Sequence, residues 1–395
     1  MSQRLSNSIR PNFGEQSLAA LQALLCGRLP LGCFGTKVND GAVWQLLCYA
    51  SARRTTIEQT AQMLADAPSA NRVREKLREV LPVSLPEMRQ LEGRLNQILQ
   101  SQLSSGLRER LQRNAVEVAG DLTDLPYHGE PEASAAETRR SQAKSGTTHF
   151  HSYATLQIVH HRQRLTIAVT FVEKGETMAA VVARLLKVAR LSGIRIKRAY
   201  FDKGFASVAV FRCLRARRLP YIIAVPARGG AGGIKQHFHG ERHQRLRYTF
   251  GRSTKSPYTT EIVIVRRVLG KNEVRYFAYA VYRMSSVPLN KVFQYYRRRF
   301  SIESGYRQSH QVRARTASRH PGLRLLLFGL SLMLVNLWVL CSQVCAITNQ
   351  YGSRLRLFDL TLASLAHSLA GAVETRYGDR EIEQAIPRAG YLSFQ

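Results

Sequence analysis

Acidic residues are scarce in this chain, so their positions carry information. Among 395 residues there are 58 Lys and Arg against 27 Asp and Glu, a formal charge of +31. Between Arg195 and Lys255 only Asp202 and Glu241 are acidic, and between Lys291 and Arg324 only Glu303 is. Asp202 closes the strand-like run IRIKRAYFD, Asp121 closes NAVEVAGD, and Glu303 lies in a basic stretch of helical period. Two carboxylates at strand ends and one on a helix can converge to hold two divalent cations roughly 3.5–4 Å apart. Such a pair activates an attacking water or 3′-hydroxyl and stabilises the leaving oxygen in phosphoryl transfer. Nearby Arg side chains would hold the phosphates. Each acid also has a plainer reading. Asp202 before Lys203-Gly204 suits a turn, Glu303 suits an ion pair with Arg299 or Arg307 at helical spacing, and Asp121 suits a cap. Asp124 rivals Asp121, but Asp121 directly follows the strand, whereas Asp124, near Pro126, reads as part of a turn.

The charge narrows the partner class. So large a positive excess repels itself in a compact state and suits a polyanion, not a small neutral metabolite. A nucleic-acid backbone is the ordinary candidate, and an acidic membrane surface the other. Of the basic residues 47 are Arg, whose planar fork grips phosphate in two places. At 45% hydrophobic the chain can build a core, and its length suggests two or three domains.

The elements that must position the acids follow from periodicity. Residues 1–105 read as helical. Asn39-Asp40-Gly41 precedes an apolar run, and Thr56 with Gln59 resembles a capping box. Ser69 can cap a second short helix carrying Val73, Leu77 and Val80. The pair suggests a helix-turn-helix with Asn71, Arg72 and Arg74 near the start of the second helix, where DNA is reached; a plain helical hairpin gives the same pattern. HFHSYATLQIVHH and RLTIAVTFVEKG read as a β-hairpin. Glu176–Leu191 and Ala206–Arg218 read as helices, PYIIAVPA as a strand, and Gly129–Thr148 as a mobile loop. The predicted class is α/β, with a mixed sheet in the order β-β-β-α-β-α-β-α. Residues 228–290, opened by a glycine cluster, form a β-rich insertion, and helices continue from Asn290 to the end.

Three motifs resemble the DDE transposases of bacterial and archaeal insertion sequences. They are VEVAGDLTDLPYHG with Asp121, YFDKGF with Asp202, and Tyr296-x2-Arg299-x3-Glu303, part of the family's Y-x2-R-x3-E-x6-K signature. The family's Lys is His310 here, whose charge near neutral pH is conditional; Arg307, one turn earlier, is a substitute. The resemblance implies an RNase H-like catalytic core (106–227 and 291–350) interrupted by the β-rich insertion. An N-terminal helical DNA-binding domain (1–105) and a C-terminal helical region (351–395) flank it. It further implies cleavage and strand transfer at transposon ends, with Asp121, Asp202 and Glu303 holding Mg²⁺ (or Mn²⁺). Tyr296, Arg299, Arg307, His310, Lys203, Arg72 and Arg74 would contact DNA, Tyr296 by stacking on a base and Arg299 by clamping a phosphate. The partners are then terminal inverted repeats, target DNA and a second protomer. The non-enzymatic alternative is a DNA-binding protein derived from a transposase.

Other features are expected to be structural. The six Cys form no C-x-x-C and read as reduced thiols. His149, His151, His160, His161, His237, His239 and His243 fit no common zinc spacing and read as solvated or phosphate-contacting. Residues 325–353 lack charge and are long enough to span a bilayer. Ser331, Asn336, Ser342 and Gln343 favour a buried core helix there instead. With no secretory signal in the first twenty residues, a cytoplasmic, nucleoid-associated setting is expected.

Overall fold

The strand segments between residues 116 and 282 form one nine-stranded sheet. The structure is a computed structural model and describes residues 13–36, 38–130, 136–159, 164–227, 233–252, 254–269, 273–344, 346–351 and 354–380. In chain order the elements begin with six helices: α1 (Phe13–Arg28), α2 (Asp40–Arg53), α3 (Ile57–Met63), α4 (Ala70–Val80), α5 (Leu85–Ser101) and α6 (Ser105–Arg113). Strands β1 (Val116–Tyr127), β2 (Arg139–Lys144), β3 (Thr147–Ile158) and β4 (Thr166–Val172) follow. Then come α7 (Met178–Leu191), β5 (Ile196–Phe201), α8 (Val208–Ala216) and β6 (Tyr221–Val225). Strands β7 (Gln244–Phe250), β8 (Tyr258–Val268) and β9 (Val274–Tyr282) precede α9 (Leu289–Arg297), α10 (Phe300–Gln311) and α11 (Pro321–Val344). The chain continues with β10 (Ala346–Tyr351), β11 (Arg354–Asp359) and α12 (Leu362–Tyr377).

Two compact units result: residues 1–81, 312–317 and 362–395 in the first, and 82–311 with 318–361 in the second. In the first, α1, α2 and α12 pack on one another. Trp44 and Tyr49 are fully buried. Tyr49 donates to Glu374 at 2.9 Å and Tyr377 to Gln45 at 2.8 Å. Asn39 caps α2 by accepting from the Ala42 amide, and Thr56 with Gln59 makes the capping box of α3. Ser69 stands at the N-cap of α4 without making a side-chain cap bond, contrary to expectation. The helical region predicted to end at residue 105 thus divides at 81, and α12 joins the first unit.

In the second unit α5 belongs with the sheet. Asn96 accepts from the Val169 amide and donates to its carbonyl, each at 2.8 Å, so one side chain completes a β4 edge. Buried Glu92 accepts from Thr170 and the Phe171 amide and pairs with Arg89 at 2.7 Å. A buried carboxylate needs such partners.

The sheet runs β2-β3-β1-β5-β6-β9-β8-β7, with β4 also on β3. One edge of β3 pairs antiparallel with β1; the other pairs with β2 along its first residues and β4 along its last. β1 is parallel to β5, and β5 to β6. This is the mixed sheet expected of an RNase H-like core. The predicted loop 129–148 contains β2, and its residues 131–135 lie outside the described set. The β-rich segment 228–290 supplies β7, β8 and β9, which extend the core sheet because β9 pairs with β6 from Tyr221↔Tyr282 to Val225↔Ala278. Its glycine cluster, 228–232, is outside the described residues. Helices do not continue unbroken to the end, since the hairpin β10-β11 separates α11 from α12.

α11 is long and apolar enough to cross a membrane, yet most of it is buried in protein. Phe328 stacks on Tyr153 with centroids 4.6 Å apart. Asn336, which lipid would leave unsatisfied, accepts from the Thr166 amide at 2.9 Å and donates to its carbonyl at 2.8 Å. The described cysteines, Cys26, Cys33, Cys48, Cys213 and Cys341, are free thiols.

Candidate active site

Asp121 and Asp202 are brought side by side by strand pairing. The parallel register of β1 and β5 ends at Gly120↔Phe201, and each acid is the next residue. Gly120 is required there, because a Cβ would stand 2.3 Å from the Phe201 ring. Asp121 does not close β1 as predicted. The strand runs on to Tyr127 because β3 keeps pairing with it, with Asp121 opposite Thr155. Asp124 is likewise in the strand and not in a turn. It stands an odd number of residues from Asp121, hence on the other face, and accepts from Ser152. Asp202 does end β5, and its side chain accepts from the Gly204 amide as the N-cap of a short 3₁₀ turn, Lys203–Phe205.

The third acid arrives on α10, in whose first turn Glu303 lies. Gly305 lets this helix approach β3, since a Cβ would come within 2.9 Å of the Gln157 side chain. Arg299, at the junction of α9 and α10, joins helix to strand. Its guanidinium donates to Asp121 Oδ2 at 3.0 Å and to Glu303 Oε1 at 2.6 Å. The ion pair anticipated for Glu303 at helical spacing is therefore present, and it belongs to the site.

Burial pushes the Asp121 carboxyl up to about 6. The Arg299 charge and the Leu122 amide, 2.9 Å from Oδ1, pull it down, while the negative charges of Asp202 and Glu303 raise it further. Burial outweighs the ion pair because one guanidinium serves two carboxylates. Arg299 is itself buried, and its Nε has no hydrogen-bond partner among the described residues.

Tyr306 was missed from sequence. Its hydroxyl donates to the Asp121 carbonyl at 2.9 Å and lies 2.8 Å from the Thr155 hydroxyl, tying α10 to both strands. The only sequence signal is its position three residues after Glu303, on the same helix face.

The remaining candidates divide by exposure. Lys203, Arg307 and His310 are exposed. Tyr296 is not free to stack on a base as expected: its ring is buried against Tyr279 at 4.8 Å, and burial pushes its hydroxyl up to about 12. Arg299 holds two carboxylates where a phosphate clamp was expected. In the first unit Arg72 is exposed, and Arg74 pairs with Glu58 at 2.8 Å. His151 is neither solvated nor placed to meet phosphate. It is buried edge-on to Tyr127, and burial with nearby Arg324 pushes its pKa down to about 3. His243 accepts from the Arg266 amide. His160 and His161 lie outside the described residues.

Among the described residues no three His, Cys, Asp or Glu side chains stand together as a ready metal cluster. The donor chemistry nonetheless fits a hard divalent cation. Asp121, Asp202 and Glu303 offer only carboxylate oxygens, and one guanidinium shared by Asp121 and Glu303, with Asp202 beside Asp121, leaves an excess of negative charge.

The description "Transposase DDE domain" fits residues 115–337, more than half of the chain. The structure is similar to the cryo-EM structure of a piggyBac transposase synaptic complex with hairpin DNA, at a TM-score of 0.52 and 9% identity, covering 92% of this chain and 78% of that one. At that identity the likeness is one of fold. No curated protein sequence matches. With the matched region spanning both strand acids and the helix that carries Glu303, the chain belongs to the family of transposases with a DDE domain.

Proposed function

We propose that the protein binds the ends of a mobile DNA element and cuts and joins strands there by in-line phosphoryl transfer, with Asp121, Asp202 and Glu303 holding Mg²⁺ or Mn²⁺. The observation that carries this reading is the adjacency of Asp121 and Asp202 on parallel strands, with Glu303 on the same guanidinium as Asp121. Two bound cations would supply activation of the attacking oxygen and stabilisation of the leaving one. With its pKa near 6, Asp121 is a carboxylate at neutral pH. The two Nη groups of Arg299, now on carboxylates, have the spacing to grip two phosphate oxygens. Tyr306 and Thr155 fix the backbone at Asp121, so the carboxylate is presented in one orientation. Exposed Lys203, Arg307 and His310 would neutralise the DNA backbone, and exposed Arg72 on α4 would give the first unit a phosphate contact. Recombination joins two ends, so a homodimer or larger assembly on DNA follows. The fold relative, described as a synaptic complex, supports that. A cytoplasmic, nucleoid-associated location suits this substrate.

One feature favours a second reading, a DNA-binding protein without strand-cutting activity: His310 stands where the resemblance expects Lys. A cleavage assay on DNA carrying the element's terminal repeats, with Mg²⁺, Mn²⁺ or EDTA, separates the two. Cutting at the ends with divalent cation only is the expected result. Asp202→Ala abolishes cutting, a loss well beyond the roughly 100-fold of an outer-shell change, while DNA binding persists. A variant that still cuts would sink the site assignment. Binding without cutting by the parent protein favours the second reading.

A further inference from the structure

A second charged cleft lies on the same strand as Asp121, four residues back, at Glu117. Its volume is about 700 Å³, and it is lined by α6, the starts of β1 and β5, and the junction of α9 and α10. Its floor is apolar, and its rim carries Arg110, Arg164, Lys197 and Arg298 against the single acid Glu117. That acid is already engaged: Arg198 holds one oxygen at 2.9 Å and Arg298 the other at 2.5 Å. Arg110, Arg164 and Lys197 are exposed and have no carboxylate partner among the described residues. Ser301, on the cleft wall, has a buried hydroxyl without a hydrogen-bond partner among the described residues.

A pocket with several unneutralised cations and a hydroxyl to spare takes an anion. Arg298 adds a reason to place that anion near the reaction. It directly precedes Arg299, so adjacent residues on one helix junction reach Glu117 and Asp121. Four residues of strand span about 13 Å. That is a distance of only a few nucleotides along DNA.

We propose that this cleft binds the phosphodiester backbone of DNA a few nucleotides from the phosphate that reacts at Asp121. The proposal rests on the transposase reading of the acid site. The cleft is a sequence-independent handle. Its cations position the strand, and the apolar floor lies beneath sugar and backbone without reading bases.

The test compares duplex binding by the parent protein and by the triple variant Arg110→Gln, Arg164→Gln, Lys197→Gln, with EDTA present so that no strand is cut. These side chains are exposed, so the fold is retained, and circular dichroism checks that. A control variant, Arg94→Gln, Lys187→Gln, Arg190→Gln, removes three exposed cations from α5 and α7. Because the triple variant leaves three phosphates without a cation, its slope of log affinity against log salt is shallower by about 2.7. Between 50 and 200 mM salt the parent then loses about 40-fold more affinity than the triple variant does. Terminal-repeat and random duplexes weaken alike. An unchanged slope, or an equal fall in the control variant, overturns the proposal. If the parent protein binds no DNA at all, the transposase reading itself fails, and that outcome is distinct from either.

Discussion

Glu117 and Asp121 sit on the same face of β1, four residues apart, and each accepts an arginine from consecutive positions, Arg298 and Arg299. Their surroundings have opposite balances. Around Asp121 two carboxylates share one guanidinium, with Asp202 beside them adding a third negative charge; around Glu117 two guanidiniums share one carboxylate. The first cluster lacks positive charge, the second lacks negative charge, and each deficit states what must bind. An excess of carboxylate calls for a cation, and an excess of guanidinium calls for a phosphate. The +31 of the chain is thus not evenly spread: it surrounds a local acidic centre on which the proposed chemistry depends.

The sharpest way to break this comparison is to remove the two arginines in turn. Arg299 is buried between its acids, so Arg299→Ala strands a buried carboxylate and costs about 3–5 kcal/mol in urea unfolding without metal. Arg298 is half exposed, and Arg298→Ala costs about 1 kcal/mol or less. Equal losses would show that the two clusters do not differ.

Acid titration probes the same contrast. In the folded protein the Asp121 pKa is raised from 3.8 to about 6. The protonated form is therefore favoured by folding, and the stabilisation it gives is full below pH 3.8 and lost as pH rises through 6. The change is about 3 kcal/mol. Asp121→Asn, which cannot ionise, is expected to abolish that part of the decline between about pH 4 and 7 in metal-free unfolding. An unaltered stability profile would contradict the burial of this carboxyl.

A smaller effect is expected at the tether. Tyr306→Phe removes one hydroxyl that bonds to the Asp121 carbonyl, at a cost of about 1 kcal/mol in thermal or urea unfolding. It should lower cleavage through misplacement of Asp121 while leaving duplex affinity unchanged.

Much of the acid centre was legible in the sequence because acids are rare there and because strand ends are visible as changes of period. Asp202 ends its strand as read. Asp121 does not, because strand length is set by the partner: β3 extends the pairing to Tyr127, and no local residue announces that. Arg299 and Tyr296 were legible as a motif but not as buried side chains, since burial follows from how α9 and α10 seat on the sheet. Glu117 and Arg298 carried no sequence signal, because their meeting spans residues 117 to 298. The segment that holds β7 to β9 was read as β-rich. Their addition to the core sheet was not legible, since edge pairing with β6 depends on a register between distant segments.

The central claim is that the acid centre, and not the basic cleft, holds divalent metal. Binding of Mn²⁺, followed by the paramagnetic resonance of the free ion at about pH 7.5, tests it directly. The expected result is saturable binding by the parent protein that weakens as pH falls below about 6, where Asp121 takes up its proton. It is lost in Asp202→Ala and unchanged in the triple variant of the cleft. Binding that survives Asp202→Ala, or that is lost with the cleft cations, would contradict it.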